Sequence, residues 1–192
     1  MPTADLRFLT TVEHAKVAAA ADRLLPPADG HPGGAALGVA DYLDALLGAF
    51  TSDPPRIHAG GPFSGRAGGA ASFDAFLDLS PLEELAWRTR IEGSRGLPER
   101  EWNGPVRGWQ ETYRDGLAAL GDDFADAPGD EQDRRLGVDP EFARLLYEHA
   151  CEGAYGAPEY GANRDLGGWR AVQWPGDVQP RGWSDADVTG RA

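Results

Sequence analysis

The chain has 192 residues and a formal charge of -13, with 18 basic side chains against 31 acids. That balance excludes a general nucleic-acid binder and disfavours an anionic membrane surface. Its one cysteine, Cys151, excludes an internal disulfide framework and a cysteine zinc cage.

The 26 glycines and 15 prolines, with few isoleucines and valines, point to an α-rich chain with much irregular backbone. Thr10-Thr11-Val12-Glu13 is a capping box, with Phe8 and Leu9 before it as a hydrophobic staple. The helix it opens should run to Leu25, where Pro26-Pro27 stops it. A turn-rich loop, PPADGHPGGA, follows. Val39, Tyr42, Leu43, Leu46, Leu47 and Phe50 recur at helical spacing, so a second, amphipathic helix is expected to about Phe50.

Residues 51–72 carry no periodicity and are dense in Gly and Pro, with Ile57 and Phe63 as buried candidates. Phe73, Phe76, Leu77 and Leu79 suggest a short helical turn. Ser80-Pro81-Leu82-Glu83 then opens a third helix with an N-cap, Pro at the first position and Glu at the third, ending near Gly93. A fourth is expected over 105–120, with Val106, Trp109, Tyr113, Leu117 and Leu120 inward. The stretch 122–133 holds six acids and no base, and reads as a solvated acidic loop. Its acids are not spaced as in a calcium loop. Asp139-Pro140 opens the last helix, ending near Gly153, with Phe142, Leu145, Leu146, His149 and Ala150 inward.

Beyond it, residues 153–192 lose helical periodicity but keep Trp169, Trp174, Trp183, Tyr155 and Tyr160. A disordered tail is normally poor in aromatics, so this arm should be ordered against something. The expectation is an all-α single domain of about five helices: a helical body over 8–152, long Gly/Pro-rich loops, and an extended aromatic arm over 153–192. No basic start with an apolar run opens the sequence, and no stretch approaches the roughly 18 apolar residues of a membrane span. A cytoplasmic protein without membrane insertion is expected, or one exported alongside a signal-bearing partner.

No catalytic apparatus is visible. His14, His31, His58 and His149 stand at no metal-ligand spacing, and none forms HExxH. His14 and His149 read as packing or surface residues on helices, and no metal site is expected. Ser64 lacks the flanking glycines of a nucleophile elbow. Cys151 and His149 are two apart, a spacing that points them in different directions on a helix. The paired glycines match neither a dinucleotide fingerprint nor a phosphate loop, so no cofactor is expected on this chain.

Two stretches carry a resemblance. One is Leu24-Leu25-Pro26-Pro27, then His31-Pro32-Gly33-Gly34-Ala35, then Val39-Ala40-Asp41-Tyr42-Leu43-Asp44. The other is Tyr155-Gly156-Ala157-Pro158-Glu159-Tyr160-Gly161-Ala162-Asn163-Arg164-Asp165, followed by Gly168-Trp169. Together they resemble the gluconate 2-dehydrogenase subunit 3 family, over roughly 8–183, the second stretch being the more specific. The resemblance implies a non-catalytic accessory subunit. Its partner would be a large flavoprotein of the glucose-methanol-choline type that holds FAD and oxidises a sugar or polyol, often with a cytochrome c subunit. Many members begin with a twin-arginine signal, whereas this sequence has a single Arg7 near its start.

The aromatic arm and the resemblance together nominate Tyr155, Tyr160, Asn163, Trp169 and Trp174 for the partner contact. The bland alternative is that these rings seal the arm onto its own helices. Two rival functions stay open. One is a stand-alone carbohydrate-active enzyme using loop residues such as His31, His58 or Arg66. The other is a chaperone that matures the flavoprotein and then leaves.

Overall fold

The computed structural model describes residues 5–53, 55, 57 and 79–174. The short turn expected around 73–79 and nearly all of the loop before it, with Phe63, fall outside the described residues, as does the arm beyond Trp174. Within them the chain is all-α, as its composition suggests, with eight α-helices rather than five and no strand.

Helix α1 (Thr11–Leu24) starts at the expected capping box: Thr10 Oγ1 accepts from Glu13 N, and Thr10 N donates to Glu13 Oε2 at 2.8 Å. It buries Lys16, Val17, Ala20 and Ala21. Small side chains along this face let neighbouring helices approach closely, and α1 packs against α2, α3, α5, α6 and α7. The segment ahead of α1 is held from both sides. The Asp44 carboxylate accepts from the backbone N–H of Arg7, Phe8 and Leu9 at 2.7, 2.9 and 2.8 Å. Arg114 Nη2 donates to Phe8 O at 2.7 Å while its guanidinium lies 4.1 Å over the Phe8 ring.

The amphipathic helix expected up to Phe50 is two helices, α2 (Gly34–Leu37) and α3 (Val39–Leu47), divided at Gly38. Gly38 has φ 84, in the left-handed region that suits glycine, and a Cβ there would lie 2.8 Å from Arg164 Nε. The break therefore makes room for an arm residue far along the chain.

Helix α4 (Pro81–Glu92) keeps its predicted cap, with Ser80 and Glu83 bonded reciprocally. Helix α5 (Trp109–Ala119) begins later than the sequence suggests. Ser94 explains the delay: its N–H donates to Val106 O at 2.9 Å, and its Oγ accepts from Val106 N at 3.0 Å. Those backbone groups are then unavailable for a helical turn.

The acidic stretch is not a solvated loop. It forms a 3-10 turn (Phe124–Asp126) and helix α6 (Gly129–Leu136). Phe124, Gln132 and Leu136 are buried. Arginines elsewhere neutralise the acids: Asp133 pairs with Arg23, Asp123 and Glu131 with Arg135. Acids in the first turn of α6 and Arg134 and Arg135 in its last turn complement the helix dipole. Lys16, the only lysine, is 2% exposed and donates to Leu117 O and Asp122 Oδ1, each at 2.9 Å.

Helix α7 (Pro140–Tyr155) opens at the Asp139 cap and runs slightly past the expected end. It crosses α1 and α3 and, with α1, α3 and α5, encloses the main core around Leu43, Tyr113, Leu117, Phe124 and Leu146. A smaller apolar cluster, Ala49, Ile57 and Ile91, joins α4 to the end of α3 with Trp87 and Trp109 against it. No described helix is long and apolar enough to cross a membrane.

Candidate functional site

The described part of the arm is folded, not extended. After α7 it makes two 3-10 turns (Pro158–Tyr160 and Arg164–Leu166) and a short helix α8 (Gly167–Ala171). Asn163 organises this path. It sits at φ 52 and ψ 45, a conformation that Asn tolerates better than most residues. Its Nδ2 donates to Gly156 O at 2.9 Å, and its Oδ1 accepts from Gly168 N at 2.9 Å. The side chain is fully buried, so both bonds are made away from water. Asp165 and Leu166 also have positive φ, 54 and 56. Such backbone costs about 1–2 kcal/mol per residue without glycine and is kept only where the surroundings compel it.

Two further ties hold the arm to the body. Trp169 Nε1 donates to Tyr155 O at 2.7 Å, with the ring buried. His31 Nδ1 accepts from Gly33 N at 3.1 Å, so its Nε2 carries the proton and donates to Tyr155 Oη at 3.1 Å. Arg164 pairs with Asp41, whose other oxygen meets His14 Nε2 at 2.9 Å.

The five nominated residues thus divide. Asn163 and Trp169 lie inside this chain and clamp the arm onto it. Tyr155 and Tyr160 are half-buried. Trp174 remains 53% exposed, beside Val172 and Leu166, which are also exposed. His58, Ser64 and Arg66 lie outside the described residues.

Tyr155 and Tyr160 also line a cavity of about 870 Å³ between α3, α4, α5 and α7. On its wall Trp87 and Trp109 meet edge to face, with ring centroids 6.2 Å apart. The Arg90 guanidinium lies 5.2 Å from the Trp87 ring centre and 5.6 Å from that of Trp109. His149 is 2% exposed, its ring 4.4 Å from Trp109, with Nδ1 2.9 Å from Tyr113 Oη. Burial, then the nearby Arg90 charge, lowers the His149 pKa to about 4, so the ring is neutral at pH 7. Tyr42 Oη donates to Glu152 Oε2 at 3.0 Å, and burial followed by the Glu152 charge pushes its pKa up.

His149 is a packing residue, as its helical position suggests, but it also borders this cavity. Trp109 and His149 both stand out as inward-facing in sequence. Their meeting with Arg90 depends on how α4, α5 and α7 pack, and no local pattern encodes it. Cys151 also borders the cavity, while the His149 ring is turned to Tyr113 and Trp109. Among the described residues no group of three or more His, Cys, Asp or Glu side chains could hold a metal ion.

The family model described as gluconate 2-dehydrogenase subunit 3 matches residues 12–176. The chain belongs to the gluconate 2-dehydrogenase subunit 3 family. The match takes in α1 through α8 and runs just past Trp174. No curated protein and no solved structure matches the chain. The geometry gives the family resemblance a physical meaning. The stretch around His31 and Asp41 and the stretch from Tyr155 to Trp169 fold onto one another, through His31–Tyr155 and Arg164–Asp41.

Proposed function

We propose that this chain is the non-catalytic accessory subunit of an FAD-dependent sugar or polyol oxidoreductase of the glucose-methanol-choline type. It binds the large flavoprotein and stabilises or matures it. FAD belongs to that partner, and a cytochrome c subunit completes the electron path in complexes that carry one. The pair works in the cytoplasm or is exported with a signal-bearing large subunit. Membership in a family described as a dehydrogenase subunit carries this reading.

The surface agrees with it. Leu166, Val172 and Trp174 flank α8 in the chain and are 36%, 56% and 53% exposed. A large ring presented on a braced arm is the kind of group that anchors protein interfaces. The stand-alone enzyme reading loses weight at His31, whose two ring nitrogens are engaged by Gly33 N and Tyr155 Oη.

The test is a gentle affinity purification of the tagged chain from its native cell, recording the masses that co-purify and their visible absorbance. A stoichiometric large partner with flavin absorbance is expected. A colourless chain alone overturns the stable-subunit reading. A partner seen only after cross-linking, and absent from the active enzyme, identifies a transient chaperone instead.

A further inference from the structure

The cavity between α3, α4, α5 and α7 has no role in the accessory-subunit reading, and its chemistry is specific. Among the described residues Arg90 makes no hydrogen bond and no ion pair. Arg7, on the wall of the same cavity, likewise has no side-chain partner among the described residues, whereas Arg23, Arg88, Arg100, Arg107, Arg114 and Arg135 all pair with carboxylates. Arg90 instead rests against the Trp87 and Trp109 rings. This orients a planar guanidinium without using up its N–H fork. Across the Trp109 ring from the same cavity, His149 is almost wholly buried and bonded at Nδ1 to Tyr113. Its Nε2 has no partner among the described residues.

A guanidinium held on aromatic faces is a receptor for a carboxylate, which it binds through two parallel hydrogen bonds. Leu46, Ile57 and Leu145 add apolar lining beside the two tryptophans. At the α7 side stand Glu148 and Glu152. Glu152 already accepts from Tyr42 Oη, and Glu148 pairs with Arg144 at 3.6 Å. The volume of about 870 Å³ lies in the range, roughly 300–1,000 Å³, of pockets that take small organic molecules.

We propose that this cavity is a binding site for a small organic carboxylate with an apolar or aromatic body. The carboxylate sits on Arg90, and the body lies against Trp87, Trp109 and the aliphatic wall. The site is independent of whether the chain binds a flavoprotein.

Benzoate is the probe, titrated into the full-length chain by calorimetry and by tryptophan fluorescence. Saturable binding is expected. Benzamide, the same shape without the charge, should bind at least tenfold more weakly. Arg90→Met should weaken benzoate at least tenfold, and Arg90→Lys should fall between. Arg134→Met, on the surface of α6, should bind as the unaltered chain does. Absence of saturable benzoate binding overturns the proposal. So does equal binding of benzamide, a comparison made on the unaltered protein and therefore decisive even if an Arg90 variant fails to fold.

Discussion

His31 Nε2 and Tyr155 Oη lie 3.1 Å apart although 124 residues separate them in the chain. The bond joins the turn before α2 to the end of α7, and Gly33 N fixes the imidazole by donating to its other nitrogen. One histidine therefore orders a tight turn and receives the arm. Tyr155→Phe removes only the hydroxyl. It should cost about 1 kcal/mol of unfolding free energy, measured by urea denaturation, because a half-buried neutral hydrogen bond is lost while the ring stays packed.

Asn163 has the larger effect on the arm. Asn163→Ala leaves Gly156 O and Gly168 N without partners inside the structure and puts Ala in a left-handed backbone. The expected loss is about 2–4 kcal/mol. Asn163→Asp keeps the acceptor for Gly168 N but turns its second carboxylate oxygen toward Gly156 O in a fully buried site, so it should cost at least as much. Gly168→Ala is a sharper test of the same junction: its Cβ would lie 1.9 Å from Ala154 O, a backbone atom that cannot swing aside. Limited proteolysis should cut after α7 in this variant and not in the unaltered chain, with Trp169 fluorescence shifted to the red.

His149 predicts a pH dependence with a definite sign. Its pKa is lowered from 6.5 to about 4 in the folded chain, by burial first and by Arg90 second. The unfolded chain therefore binds the proton first as pH falls. Stability is fully present above pH 6.5, declines between 6.5 and about 4, and levels off below. The total is of order 3 kcal/mol. Asp123, Glu131 and Asp133 are all held below their usual values by arginine hydrogen bonds, so their contributions fade at lower pH than this window. Urea midpoints between pH 7.5 and 4.5 should slope for the unaltered chain and flatten for His149→Gln.

Lys16 offers a native-state probe, because its amine is the only lysine amine and is 2% exposed. Amine-reactive reagents should modify Lys16 only as fast as the α1–α5 contact opens, and the rate should rise steeply in urea. Lys16→Met preserves the buried stem but leaves Leu117 O without this donor. It should destabilise by about 1–3 kcal/mol, seen as a lower thermal midpoint.

Trp174→Ala tests the proposed interface without disturbing the clamp. The ring is half exposed, so the thermal midpoint of the isolated chain should barely move. If Trp174 anchors the flavoprotein, affinity in a reconstituted pull-down should fall about thirtyfold, in line with a loss of about 2 kcal/mol at an interface anchor. Unchanged capture would remove Trp174 from the contact.

Much of the helical framework was legible beforehand. The capping pairs Thr10–Glu13 and Ser80–Glu83, the Asp139 cap and the proline stop after Leu25 all appear where the sequence places them. The acidic stretch hid α6, because only Gln132 and Leu136 mark its buried side, and the pairing arginines Arg23 and Arg135 lie outside the run of acids. Four of the five nominated arm residues were visible as rings, but the division of the set into clamp and exposed surface was not. Trp169 and Trp174 are five residues apart and alike in chemistry, yet one is 7% exposed and the other 53%.

The sequence by itself determined what depends on neighbours three or four residues away: where α1, α4 and α7 begin, and which of their faces are apolar. Caps and amphipathic stripes act within one helical turn, so local order suffices to write them. Tertiary structure alone decided the break at Gly38, where Arg164 arrives from the arm, and the union of Arg90, Trp109 and His149 around one cavity. It also decided the His31–Tyr155 bond. Each of these joins groups that no local spacing relates, and each depends on burial of the main core and of the smaller cluster that docks α4.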